Sequence, residues 1–264
     1  MLPQIIDIYN YLDTIAPLSL AEKNDNNGLQ IGSFSEEVQG ILLSVDPSLA
    51  ALNFASTQGL NLVITHHPLF YNPLRSVNRD TFPGKIIYFA VEKGLNLLSW
   101  HTPLDKVPWG VSAALAKALG WKSEEFILQE GNGYGLGRVV KFEKYVNLDS
   151  LAREIKEKLK SWVMLVGDPQ KEINKLAICG GSCGFLKDYL RKENIFTLLT
   201  SDVKYHLAKE AEEEAFDFIL IDHGVGESLI LHELKEKIET YLKEHGHIIP
   251  VKVYMEKSPF KIID

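Results

Sequence analysis

Cysteine is scarce, with two residues in a chain of 264. Two cysteines cannot staple a disulfide scaffold, and the count suits a reducing compartment. No apolar run approaches the roughly 18 residues that a membrane span needs, so no membrane partner is expected. Basic side chains are outnumbered, 28 against 35 acidic, for a formal charge of −7. That balance argues against dedicated nucleic-acid binding, a local basic patch aside. The opening stretch carries Asp7 and Asp13 among its apolar residues and has no basic leader. It reads as an amphipathic helix and not a signal peptide, which sets the expected location as cytoplasmic. No GxxxxGK phosphate loop occurs, and AKEAEEEA (208–215) reads as a solvated helix face. What is present is ordinary globular material, 45% apolar and 24% charged. It suffices for one large domain or two smaller lobes.

Ile5, Ile6, Tyr9 and Leu12 recur at helical spacing and predict a helix over 2–15. The Asn-rich loop at 22–32 reads as having no element of its own. Apolar strands at 41–45, 62–65 and 95–100 then alternate with helices at 47–57, 83–94 and 110–120. The glycine-rich GNGYGLG (131–137) reads as a flexible connection and domain boundary. A second alternation follows, with strands at 137–142, 162–167, 175–180, 195–200, 216–222 and 247–254. Helices are predicted at 148–162, 184–193 and 202–215, with a long one from Glu227 to Glu244. The pattern predicts an α/β fold of two mostly parallel lobes packed around a cleft. Residues 1–125 and 225–264 form the first lobe and 126–224 the second.

Open α/β sheets bind ligands beyond the carboxyl ends of their strands. Four of the eight histidines fall just there: His66 and His67 after LVIT, His101 after LLSW, and His223 after ILID. His206, His232, His245 and His247 read as solvent-facing. Pro68 stops the strand and lets both neighbouring imidazoles project from a rigid turn, although a pair of satisfied buried histidines is the plainer explanation. Asp105 follows His101 by four residues, as a turn-former or a ligand. Glu227 follows His223 by four, as a helix-dipole partner or a ligand. Together His66, His67, Asp105, His223 and Glu227 make a mixed imidazole and carboxylate set. Such donors suit zinc, iron, manganese, cobalt or nickel, and five of them suit two divalent ions with a bridging carboxylate. Cys179 and Cys183 have no zinc spacing and read as buried or adventitious thiols. GGSCG reads as a tight turn or an anion nest, and Asp202 as a helix cap or a lining residue.

At these residues the sequence resembles the GTP cyclohydrolase I type 2 homologue family, the Nif-three-like proteins. The resemblance is carried by NDNNGLQIG (24–32), ITHHPLFY (64–71), SWHTPLD (99–105), CGGSCG (179–184), TSDVKYHLAKEA (200–211) and the His223–Glu227 pair. It implies a dinuclear metal site on a two-lobed α/β subunit, assembled as a homohexamer. His66 and His67 match the paired-histidine ligands, Asp105 the aspartate ligand, and His223 with Glu227 the late pair, Glu227 bridging. The family's Asp-Ala-Gly-His is replaced here by Asp222-His223-Gly224, with the His-to-Glu spacing kept. The implied activity is a metal-dependent hydrolase that opens the purine ring of GTP or a related nucleotide, with His101 as proton shuttle and Lys204 among the phosphate contacts. A non-enzymatic metal-binding scaffold or regulator, and a metal-dependent phosphoesterase, are the competing readings.

Overall fold

A computed structural model describes residues 2–123, 125–131 and 133–263. Along the chain run α1 (Ile5–Ile15), β1 (Gly28–Ile31), β2 (Ile41–Ser44), α2 (Leu49–Thr57), β3 (Leu62–Thr65), α3 (Gly84–Glu92), β4 (Asn96–Ser99) and α4 (Thr102–Lys106). Next come α5 (Val111–Ala118), β5 (Leu128–Glu130), β6 (Tyr134–Leu136), β7 (Arg138–Asn147), α6 (Leu148–Leu159), β8 (Val163–Val166) and β9 (Glu172–Ile178). The chain closes with α7 (Lys187–Lys192), β10 (Thr197–Thr200), α8 (Tyr205–Glu213), β11 (Asp217–Ile221), α9 (His223–Ser228), α10 (Ile230–Glu244) and β12 (Val251–Val253). The chain divides into two compact units, Met1–Leu104 with Leu231–Glu256, and Asp105–Ile230 with Lys257–Asp264. No described helix is long and apolar enough to cross a membrane.

The first unit is built on a sheet ordered β1-β4-β3-β2-β12, parallel except where β1 runs against β4. Its central strands are buried at every residue, because both sheet faces are covered. One face, through Leu42, Val63 and Leu97, packs on Leu52 of α2 and Ile86 of α3. Helices α1 and α10 join each other where Tyr11 stacks on Tyr241 at 4.2 Å and its hydroxyl donates to the Lys237 carbonyl at 2.8 Å. The loop expected to be featureless contains β1. Its alternation is hidden by Asn and Gly, and its partner β4 is far away in sequence.

The sheet of the second unit is ordered β7-β9-β10-β11-β8, parallel in the middle and antiparallel at both edges. It is therefore a mixed sheet, less parallel than the apolar strands suggested. One face, through Leu176, Leu199 and Ile219, packs on Leu115 of α5 and Leu151 and Ile155 of α6. The other packs Leu198 and Phe218 on Leu190 and Ala211, from α7 and α8. Helix α5 belongs to this unit because Leu115 and Leu119 are part of its core. The expected lobe edges were 125/126 and 224/225, whereas the units change over at 104/105, 230/231 and 256/257.

Two local readings change. The glycine-rich stretch is a hairpin in which Leu128, Gln129 and Glu130 pair with Leu136, Gly135 and Tyr134. Asn132 of that stretch lies outside the described residues. The last long helix is two helices, and the first begins at His223, so Gly224 and Gly226 are helical. Asp222 starts it by accepting the Val225 N–H at 3.1 Å, an N-cap worth about 1 kcal/mol.

Candidate functional site

In the first unit, parallel strands β3 and β4 end side by side and deliver three imidazoles. Ring centroids lie 5.2 Å apart for His66 and His67, 5.0 Å for His66 and His101, and 5.5 Å for His67 and His101. One nitrogen from each falls within 4.8 Å of the others. The turn is fixed by main-chain bonds: His66 and His67 donate their N–H groups to the Ser44 and Val45 carbonyls. His66 is buried, and His67 and His101 are partly so.

Two of these rings are held from behind by carboxylates. His67 Nδ1 meets Asp46 Oδ1 at 2.8 Å, and His101 Nδ1 meets Asp25 Oδ1 at 2.8 Å. A carboxylate only accepts, so the proton of a neutral ring sits on Nδ1 and the lone pair of Nε2 faces away from the carboxylate. Asp25 is the hub. It also accepts from the Asn27 side chain, the Thr102 N–H and the Thr102 hydroxyl, while Asn27 accepts the His101 N–H at 2.6 Å. Burial alone would raise the Asp25 pKa. Its hydrogen bonds, led by His101 and Thr102, outweigh that and hold the carboxyl well below the usual carboxylate range.

In the second unit the donors are local. His223 and Glu227 stand one turn apart on α9, with Nε2 3.0 Å from Oε1. His223 Nδ1 meets Asp202 Oδ2 at 2.6 Å, and the Ser182 hydroxyl donates to the same oxygen at 2.9 Å. Glu227 is buried against the turn after β9. Gly181 there has a φ of +76°, and a Cβ on it would lie 2.7 Å from Glu227 Oε1. The turn is pinned where the Gly181 carbonyl accepts the Ser201 N–H at 3.0 Å and the Thr200 hydroxyl at 2.8 Å. Cys179 and Cys183 flank it and are joined as a disulfide, with Cα atoms 5.9 Å apart. The sequence spacing suggests thiols, but the two-glycine turn folds their side chains together. Asp105 lies in α4 and is half-buried.

A third acidic group, Asp188, Glu210 and Glu214, already has its cation. The Lys187 ammonium, buried to 2%, sits 3.0 Å from Asp188 and 2.7 Å from Glu210 and also pairs with Glu214. Burial opposes that charge, but the carboxylates win and raise the Lys187 pKa. This cluster is a structural ion network and offers no site for a metal.

The sequence pattern places the histidines at strand ends, as the structure does, but does not reveal their partners. Nothing local in the sequence marks Asp25 or Asp46 as those partners. The sequence allows Asp202 as a helix cap or a lining residue. Its side chain holds His223, and Lys204 occupies the cap position of α8.

Two α/β units bearing imidazole and carboxylate groups able to bind metal define a class of protein before they define a member. Residues 3–259 match the Duf34/NIF3 (NGG1p interacting factor 3) family, and the chain belongs to it. It is 30% identical over 261 residues to a Clostridium perfringens protein called GTP cyclohydrolase 1 type 2 homolog, covering 97% of this chain and 98% of the relative. A protein of the same name from Clostridium acetobutylicum is 28% identical over 263 residues, covering 98% of each. The structure is similar to the crystal structure of the Staphylococcus aureus hypothetical protein SA1388, with a TM-score of 0.91 and 28% identity over 100% of both chains.

Proposed function

We propose that the chain is a metal-dependent hydrolase acting on a nucleotide or related heterocycle, the reaction class suggested by the name of its relatives. His66, His67, Asp105, His223 and Glu227 would hold two divalent cations. The supporting observation is that His67, His101 and His223 each have Nδ1 engaged by a carboxylate, from Asp46, Asp25 and Asp202. That arrangement places a proton on each Nδ1 and fixes the direction of each ring as a ligand or proton carrier. The donor chemistry fits zinc, iron, manganese, cobalt or nickel.

A divalent cation held there would acidify water and stabilise developing negative charge. The residues around it do the rest. Asp25 keeps His101 oriented, and His101 accepts a proton at Nε2 from the attacking water. It returns that proton to the ring nitrogen released when the carbon–nitrogen bond breaks. His67 and His223, each tied to a carboxylate, hold their positions without rotamer loss during turnover. Assembly as a homohexamer completes the proposal.

The test begins with metal. Chain purified from zinc- or manganese-supplemented cells should contain close to two ions per subunit by elemental analysis. Clearly less than one would overturn the reading. GTP turnover, followed as loss of the purine chromophore, should vanish in Asp105→Asn. Full metal occupancy without turnover of GTP would reject the hydrolase and leave a metal-binding scaffold.

A further inference from the structure

The second unit contains a cleft of about 1060 Å³, at the upper end of the size that holds a small organic ligand. Its apolar part is made by Trp162, Met164 and Phe260. The indole stands nearly perpendicular to the Phe260 ring, 6.4 Å between centroids, and its Nε1–H donates to Asp222 at 3.2 Å. That bond fixes the plane of the indole. The segment bearing Phe260 is tied down where the Ser258 hydroxyl donates to the same carboxylate oxygen.

The rim is basic although the whole chain is acidic. Lys156, Lys160, Lys204 and Lys261 all line the cleft. Among the described residues none of these four is in an ion pair, whereas Lys158, on the same helix as Lys156, is paired with Glu154 at 2.6 Å. Lys160 also has a φ of +51°, a left-handed conformation that Gly or Asn adopts more readily. That φ comes with its place as the residue that ends α6, and it turns the chain into the cleft wall at Ser161 and Trp162.

The cleft also has a polar end. Ser201 is 2% exposed, and its hydroxyl is buried without a hydrogen-bond partner among the described residues. Leaving such a group unsatisfied costs free energy that a ligand acceptor or donor would recover. Beside it stands Asp202, which also holds His223. A molecule filling the cleft therefore reaches the carboxylate that orients one proposed metal ligand.

We propose that this cleft binds a planar heterocycle carrying a phosphate, the ring lying against Trp162, the phosphate taken by the unpaired lysines, and a polar ring substituent reaching Ser201. This deepens the proposed function by assigning its substrate subsite, and it rests on that reading for its link to chemistry. The binding itself requires no metal.

The experiment is a tryptophan-fluorescence titration of the full chain after metal removal by chelation, with GMP, guanosine and inorganic phosphate as probes. GMP should quench saturably, and guanosine and phosphate should each bind at least about tenfold more weakly, because charge-assisted contacts supply much of the affinity. Trp162→Phe should abolish the quench. Lys160→Ala with Lys204→Ala, both exposed and outside the core, should weaken GMP by about tenfold or more and leave guanosine unchanged. Equal binding of GMP and guanosine, no saturation, or an unaffected double variant would overturn the proposal. So would a concentration-dependent dimer that buries Trp162, which makes the cleft an interface between copies. GMP binding with no metal uptake would sink the hydrolase and keep the subsite; metal uptake without GMP binding would do the reverse.

Discussion

In the first unit, the histidines are oriented by carboxylates remote in sequence: Asp46 for His67, 21 positions away, and Asp25 for His101, 76 positions away. In the second, His223 meets Glu227 on the next helical turn and Asp202 from the loop after β10. The environments differ as much as the routes. The Asp25 side chain is 4% exposed and Asp202 is 59% exposed. A buried carboxylate that answers several donors is part of the frame, while an exposed one adjusts a single ring. This difference predicts a steep contrast. Asp25→Ala strands its donors and should lower unfolding stability by about 3 kcal/mol or more. Asp202→Ala should cost under about 1 kcal/mol. Urea midpoints at unchanged slope read both, and equal losses would erase the contrast.

Cation affinity gives a second contrast. Asp46→Asn keeps the shape but removes the charge that orients His67, and should weaken zinc binding by about 10- to 100-fold in chelator competition. An unchanged affinity would mean that His67 is not a ligand. A third, smaller contrast compares two glycines of similar conformation. Gly59 has φ +68° with open space at its Cβ, and Gly181 has φ +76° with Glu227 in the way. Both substitutions to Ala should cost about 1 kcal/mol in stability from the backbone alone. Only Gly181→Ala should also weaken metal binding, by pushing Glu227 aside. Parallel behaviour in both assays would separate Glu227 from any ion.

What could be read in the chain follows the same division. Strands β2, β3, β4, β10 and β11 are short apolar runs buried on both faces, so composition alone exposes them and the histidines at their ends. The second unit's pair was legible as a spacing of four, the helical repeat. The long-range partners left no such mark. Asp25 sits in an Asn-rich loop whose role depends on β1 pairing with β4, and no local period encodes that pairing. The hairpin at β5 and β6 was hidden because its glycines suggest flexibility and its pairing partners are visible only in register. The helical start at His223 was missed because Gly224 and Gly226 disfavour helix by about 1 kcal/mol each. Asp222 supplies the cap that opens the helix in spite of them.

The smallest effect tests whether buried carboxylates in the two units respond oppositely to pH. Asp25 is held below its ordinary pKa, so near pH 4 the unfolded chain binds the extra proton. Its contribution is present above the unfolded pKa and is lost as pH falls towards the depressed folded value. Asp217, on β11, is different. Burial pushes its pKa up, more than the Lys171 ammonium at 2.6 Å and the Thr197 hydroxyl at 3.0 Å pull it down. There the folded chain holds the proton longer, so the contribution is full below the unfolded pKa and fades as pH rises through the raised one. Between about pH 3 and pH 6, the range where carboxylates titrate, the loss of stability in Asp25→Asn should grow with rising pH. For Asp217→Asn it should vary in the opposite direction. Stability curves of both variants against the parent chain decide this. Two slopes of the same sign would show that the ion pair with Lys171, and not burial, governs Asp217.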